Sequence, residues 1–474
     1  MIRTKLGVLL TLLCLSLTGC PDDGGGPAGG TAPGAGTVVY LADQDTVGVF
    51  ELYLGSSGAK LNPALGAGRT VTNFAVTPGA TAVVYIADQD QDDVYELYRV
   101  NLATPGTSTK LNGTIVPAGG DVTGFAITPD GSAVVYRADQ NTDEVFELYR
   151  TVLGTATNSR LNPAYAGGQD IETFVILPDS TGVIYRADQH TEGVSELYRV
   201  LFANAPTSDR LVAPPLVAGQ NVGAFAVTAD SANVVYIANR ILATSQVYFV
   251  PAGGGANIQL NSVLTANGNV TDSAVTPDGL SVVYRADQDA DEVFELYRVP
   301  LATPGTSTKL NGPLVAGGDV TSFGVIPGSS GVVYIADQTT DDIFELFRTV
   351  FPGVNTQLSP VGYVAGQNVE DFVLFPNGSG VVYRADQTTA GVNEIYRAVF
   401  GFPGTVRLNP GLVAGKNVST YAVAPDSNSA IYRANEDNAA IVELYRATFE
   451  TAGTSTKLNS PLVAGRNVTD FSVR

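Results

Sequence analysis

Histidine, methionine, cysteine and tryptophan are nearly missing from this chain, which has one His, one Met, two Cys and no Trp in 474 residues. A Ser-His-Asp triad could draw only on His190, and a Cys/His zinc site cannot be assembled from one histidine and at most two thiols. Charge is scarce as well. Charged residues make up 15% of the sequence, against the roughly 25% usual for soluble domains. They are also unbalanced, with 46 Asp and Glu to 26 Lys and Arg and a net charge of −20. Such a surface repels phosphate backbones, which excludes nucleic acid as a partner. Apolar residues are plentiful at 44%, alongside 52 Gly and 26 Pro. That composition excludes a disordered chain and implies many turns.

The N-terminus carries Arg3 and Lys5, an apolar run from Leu6 to Leu15, and then Leu17-Thr18-Gly19-Cys20. A basic start, a short apolar run and small residues before a cut form a secretory signal, too short to span a membrane as a mature helix. The Leu-Thr-Gly-Cys ending resembles the lipobox of bacterial lipoproteins. That resemblance implies cleavage after Gly19 and lipid on Cys20, which would hold the protein to a bacterial membrane through several acyl chains. Cys14 leaves with the signal, so no disulfide and no free thiol remain. The expected organisation is a signal peptide over 1–19, the lipidated Cys20 with a Gly/Pro-rich tether over 20–36, and a folded body over 37–474 in the cell envelope.

From Thr37 onward one unit repeats. The segment VVYLADQ at 38–44 returns as VVYIADQ at 83–89, VVYRADQ at 134–140 and VIYRADQ at 183–189, and so on to AIYRANE at 430–436, nine copies in all. A mean spacing of about 49 residues with no helical pattern inside it marks propeller blades. The third copy reads as four strands, Val122–Ile127, Ala133–Ala138, Val145–Arg150 and Ser159–Leu161, because β-branched and aromatic runs between turn signals are strands. Its Thr128-Pro129-Asp130-Gly131 turn, the VVYRAD segment and Glu147-Leu148-Tyr149-Arg150 resemble the TolB-type, WD-repeat-like propeller family, and the resemblance covers 38–474. It implies an all-β ring of four-stranded antiparallel blades. The copy number and a hairpin two residues longer depart from the family pattern. The first copy begins at its second strand and the chain stops at Val468–Val473, a spare first strand. The last strand is therefore expected to complete the first blade in one closed ring of nine, with two packed smaller rings as the alternative. The fifth copy has Asn239–Gln246 where the others are acidic, and reads as a full blade with a different loop.

Most of the 46 acids fall in one kind of hairpin, between the second and third strands. One face of the disc is thus expected to be acidic and to attract cations and basic partners. Within the hairpins, Asp88, Asp90, Asp92 and Glu96 stand at loop positions 1, 3, 5 and 9, as do Asp287, Asp289, Asp291 and Glu295. Asp139, Asn141, Asp143 and Glu147 form a weaker third set. Hard oxygen ligands at that spacing resemble calcium loops and make calcium the candidate cofactor, although position 6 is Asp93 or Glu292 in the best copies instead of Gly. The alternative is structural. In that reading Asp139 and Glu147, with their equivalents, are hydrogen-bond acceptors that fix the hairpin and pair with Arg137 and Arg150, while Tyr136 and Tyr149 are repeat-defining core residues.

Acids repeated around a ring do not make the single asymmetric constellation that catalysis needs. His190 takes a loop position held by Asp45, Asp90, Asn141 and Thr339 in other copies, so it reads as a surface residue. The expected function is a lipid-anchored, non-catalytic binding or assembly scaffold, with a protein or cationic envelope partner on the acidic face. The alternative is an envelope enzyme on a propeller scaffold, directed at polysaccharide and dependent on calcium.

Overall fold

In the second strand of the third repeat, Ala133–Ala138, five of six side chains are buried, on both faces of the sheet. A strand hidden on both faces needs cover on both, and neighbouring blades provide it. The structure, a computed structural model, describes residues 36–474 apart from 56, 117, 118, 156, 166, 242 and 243. The expected signal peptide, Cys20 and the tether up to residue 35 lie outside the described residues.

All regular structure described is β, arranged in nine antiparallel sheets. In eight of them four consecutive strands lie side by side in chain order, for example Val122–Ile127, Ala133–Ala138, Glu147–Val152 and Thr157–Arg160. The third strand starts at Glu147 instead of the expected Val145, because Asp143 to Phe146 complete the hairpin turn. Glu144 adopts a left-handed φ of 58° there, and the Val145 amide donates to the Thr142 carbonyl at 3.1 Å. The fifth blade is complete, with a longer hairpin between Asn233–Ile241 and Thr244–Pro251. The first blade has three strands, and its fourth shrinks to a bridge between Tyr53 and Lys60.

Closure follows the expected route. Val468–Val473 pairs with Val38–Ala42 as the missing first strand, with Tyr40 opposite Phe471 and Val38 opposite Val473. Thr37 and Arg474 exchange main-chain hydrogen bonds of 2.7 and 3.0 Å. The apolar core is divided into nine clusters, each drawn from two successive blades. One joins Val39 and Leu52 to Tyr85 and Val100, and another joins Ile431 and Leu444 of the ninth blade to Tyr40, Tyr53 and Val468 of the first. Nine interfaces between nine successive blades make a single circuit, which removes the two-ring alternative. Inside each blade the second and third strands stack an aromatic pair, such as Tyr136 on Tyr149 at 5.4 Å between centroids. Burial pushes the Tyr136 phenol up to about 12, so it remains a donor, 2.9 Å from Gln140 Oε1.

Strand direction sorts the loops. Hairpins between second and third strands share one face of the ring with the connections from one blade to the next. Turns between first and second strands lie on the opposite face with the hairpins between third and fourth strands. Thr37, at the start of the described body, is on that opposite face. Deleting residues 468–474 leaves the edge of Val38–Ala42 unpaired. The shortened protein is expected to melt several degrees lower and to self-associate in size-exclusion chromatography; a monomer with an unchanged melting temperature would contradict closure by this strand.

Candidate functional site

Each acidic hairpin begins where the second strand ends. In the third blade that residue is Asp139, 2% exposed. Its Oδ1 accepts the main-chain amide of Asp121 at 2.5 Å, just ahead of the first strand, and its Oδ2 accepts the amide of Glu144 across the hairpin at 3.1 Å. The first of these bonds recurs in all nine blades, from the Asn467 amide to Asp43 at 2.7 Å round to the Asn417 amide to Asn435 at 2.6 Å. The side chain of the donating residue then reaches the preceding blade. Asp121 Oδ1 accepts the Tyr95 amide at 2.8 Å, and Asp170 Oδ1 accepts the Phe146 amide at 2.8 Å. Buried polar groups are tolerated because each is hydrogen-bonded in this way.

The glutamate that opens the third strand is buried too. Glu147 accepts the Tyr149 hydroxyl at 2.7 Å and pairs with Arg160 of the fourth strand at 3.2 Å. In four blades the partner is a lysine that also holds an acid of the hairpin. Lys110 lies 2.6 Å from Glu96 and 2.8 Å from Asp90, and Lys309 lies 2.6 Å from Glu295 and 2.8 Å from Asp289. Lys60 and Lys457 repeat the bridge with Asp45 and Glu51 and with Asp437 and Glu443. Desolvation would lower the Lys110 and Lys309 ammonium groups, but the hydrogen bonds they donate to these carboxylates hold them above the ordinary lysine value. The hydrogen bond from Lys309 holds Asp289 below the usual carboxylate range. Desolvation pushes Asp90 up, but the bond and charge of Lys110 outweigh it and leave Asp90 low as well.

The four acids of a calcium-like loop therefore do not share one centre. Position 1 (Asp88, Asp139, Asp287) binds the main-chain amide, positions 3 and 9 close on lysine in the two best copies, and position 5 (Asp92, Asp143, Asp291) is exposed. Among the described residues no three His, Cys, Asp or Glu side chains form a group that could hold a metal. The arginine pairing expected for Asp139 and Glu147 is likewise not what forms. Arg137 lies over the Phe146 ring at 3.9 Å and donates to the Ile171 carbonyl of the next blade, while Arg150 lies over Phe202 at 4.3 Å. Sequence reasoning missed Lys110, Lys309 and Asp121, although a Lys or Arg recurs just before the Leu-Asn of the fourth strand, and an Asp or Asn recurs just ahead of the first. His190 stacks on Tyr198 at 5.4 Å and lies 2.9 Å from its hydroxyl.

No family model matches the chain, and no curated protein does. Among solved structures, dipeptidyl peptidase 4 from Porphyromonas gingivalis is similar, with a TM-score of 0.58 at 11% identity over 81% of this chain and 59% of that one. An oligogalacturonate lyase from Vibrio parahaemolyticus matches with 0.42 at 13% identity over 77% and 98%, and TolB from Acinetobacter baumannii with 0.32 at 17% over 57% and 64%. The chain spans 55% to 59% of the length of the peptidases it matches. At these identities the likeness is one of fold. The chain is a nine-bladed β-propeller, and similar structures include both enzymes and TolB.

Replacing Asp139 with Ala leaves two amides without acceptors and is expected to cost about 1–3 kcal/mol in urea unfolding. Asp143→Ala, at an exposed tip, should stay within about 0.5 kcal/mol. Because lysine occupies the cation position, the melting temperature should be the same in millimolar calcium and in chelator; a rise of several degrees with calcium would contradict this assignment. Asp90 and Asp289 have lowered folded values, so the stability they contribute is present above the ordinary Asp value and lost as pH falls through the lower one. Melting temperatures are expected to hold from pH 7 to 5 and to fall below about pH 4.

Proposed function

We propose that the protein is a lipid-anchored scaffold of the bacterial cell envelope that binds a cationic partner, without catalysing a reaction, on the face formed by its acidic hairpins. The observation that carries this reading is the pairing of exposed acids at the hairpin tips. Asp92 with Asp93, Asp143 with Glu144, Asp291 with Glu292, and Asp341 with Asp342 are all exposed. None makes an ion pair with a described Lys or Arg, in contrast to Asp90 and Asp289 beside them. Adjacent like charges on one rim create a potential that a basic surface relieves, and such fields speed association and select partners. Thr37, near the start of the described body, lies on the opposite face. The non-catalytic part of the reading is supported by how the buried carboxylates are used, nearly all of them held by amides, hydroxyls, lysine or arginine in a pattern repeated around the ring, with Asp88 Oδ2 the exception.

Affinity capture from envelope extracts with the processed protein, at low salt and at about 0.5 M salt, tests the proposal. A partner retained at low salt, released at high salt and indifferent to chelator is expected, with no turnover on panels of glycans and peptides. Turnover of any of these substrates without a captured partner would overturn it in favour of the enzyme reading.

A further inference from the structure

The fourth position of the third strand is arginine in most blades, and almost every such arginine is occupied. A phenylalanine six residues beyond the glutamate of the following blade covers four of them. Arg150 lies 4.3 Å from Phe202, Arg298 4.3 Å from Phe351, Arg348 4.1 Å from Phe400, and Arg397 5.2 Å from Phe449. Arg199 pairs with Asp209 at 2.8 Å, and Arg446 donates to the Gly36 carbonyl at 3.4 Å. Arg99 has no such partner. Its Nε is buried without an acceptor, as it is in the other six, but here the rest of the guanidinium also makes no hydrogen bond, ion pair or ring contact with any described residue. The residue of the third blade in the covering position is Leu153, too short to stack over it.

In place of the missing ring there is a cleft of about 190 Å³ between the second and third blades, open on the face away from the acidic hairpins. Thr77, Pro78, Thr81, Arg99, Gly131 and Leu153 line it, with no carboxylate among them. The Thr77 hydroxyl is already committed to the Ala82 carbonyl at 3.1 Å, and the Thr81 hydroxyl reaches only the Thr77 oxygen, at 3.5 Å; the Arg99 guanidinium is the free donor, and Thr81 can exchange that long contact for a bound oxygen. A guanidinium fork without an acceptor matches the two oxygens of a planar or tetrahedral oxyanion. We propose that this cleft binds a small oxyanion, a carboxylate or a phosphate, through Arg99 with Thr81 as second donor. The cleft is separate from the acidic face, so the inference stands whether or not that face binds a partner.

The test titrates inorganic phosphate and, separately, acetate into the full processed protein, with sodium chloride matched for ionic strength, and reads binding by calorimetry and by melting temperature. One or both anions are expected to bind in the millimolar range, and which one does identifies the chemistry. Arg99→Gln should weaken binding at least tenfold. Leu153→Phe, which supplies the ring present at Phe202, should do the same with Arg99 intact. Arg150→Gln, at a covered site, should leave it unchanged. Neither anion binding above the chloride control at about 50 mM would overturn the proposal, as would equal binding in the Arg99→Gln and Leu153→Phe variants.

Discussion

One main-chain hydrogen bond, made nine times, holds the ring in register. Each time the chain crosses to a new blade it must turn into the first strand, which leaves an amide buried where no ladder partner is in reach. The residue closing the second strand of the same blade accepts that amide. In eight blades the side chain of the donating residue reaches back to the previous third strand. The second blade uses Thr70 there and lacks this second link. Where Asp139 is replaced by Asn239 or Asn435 the amide bond persists. What the position requires is an acceptor oxygen, and charge is incidental to it.

That requirement divides the acids into two populations. Acids at the hairpin base and at the start of the third strand are consumed by amides, tyrosine hydroxyls and the cations of the fourth strand, and they belong to the fold. Lysine serves as counter-ion in four blades, and in two of them, those of Lys110 and Lys309, the loop spacing is calcium-like. In the seventh blade neutral Gln357 takes that place, 2.7 Å from Glu345. Acids at the tips have no such partners and add repulsion that the fold does not use. Adjacent unneutralised acids are thereby gathered on one rim, while single acids such as Asp130, Asp179, Asp230 and Asp426 stand in the turns of the opposite face.

The architecture was legible in the sequence because its unit is repeated. Nine copies of one tyrosine-containing segment, a first copy lacking its first strand and a spare Val468–Val473 were enough to imply a closed ring. Boundaries were less legible where a turn borrows strand-forming residues, as Val145 and Phe146 do before Glu147. The partners of the acids were legible least. Lys110 lies 14 residues from Glu96 along the chain, and Asp121 serves a strand of the previous blade. Spacing within a loop cannot register neighbours that arrive from another strand. Arg99 shows the same limit from the other side, since its sequence context matches that of Arg150 and only the residue across the interface, Leu153 in place of Phe202, sets it apart.

The central claim is that base acids build the ring while tip acids are free for recognition. A variant with the tips neutralised (Asp92→Asn, Asp93→Asn, Asp143→Asn, Glu144→Gln, Asp291→Asn, Glu292→Gln, Asp341→Asn, Asp342→Asn) is the test, by comparing its melting temperature and partner capture with those of the parent protein. An unchanged or slightly higher melting temperature is expected, together with loss of capture at low salt. Capture undiminished in the neutralised variant, or collapse of the fold on removing only tip charges, would contradict it.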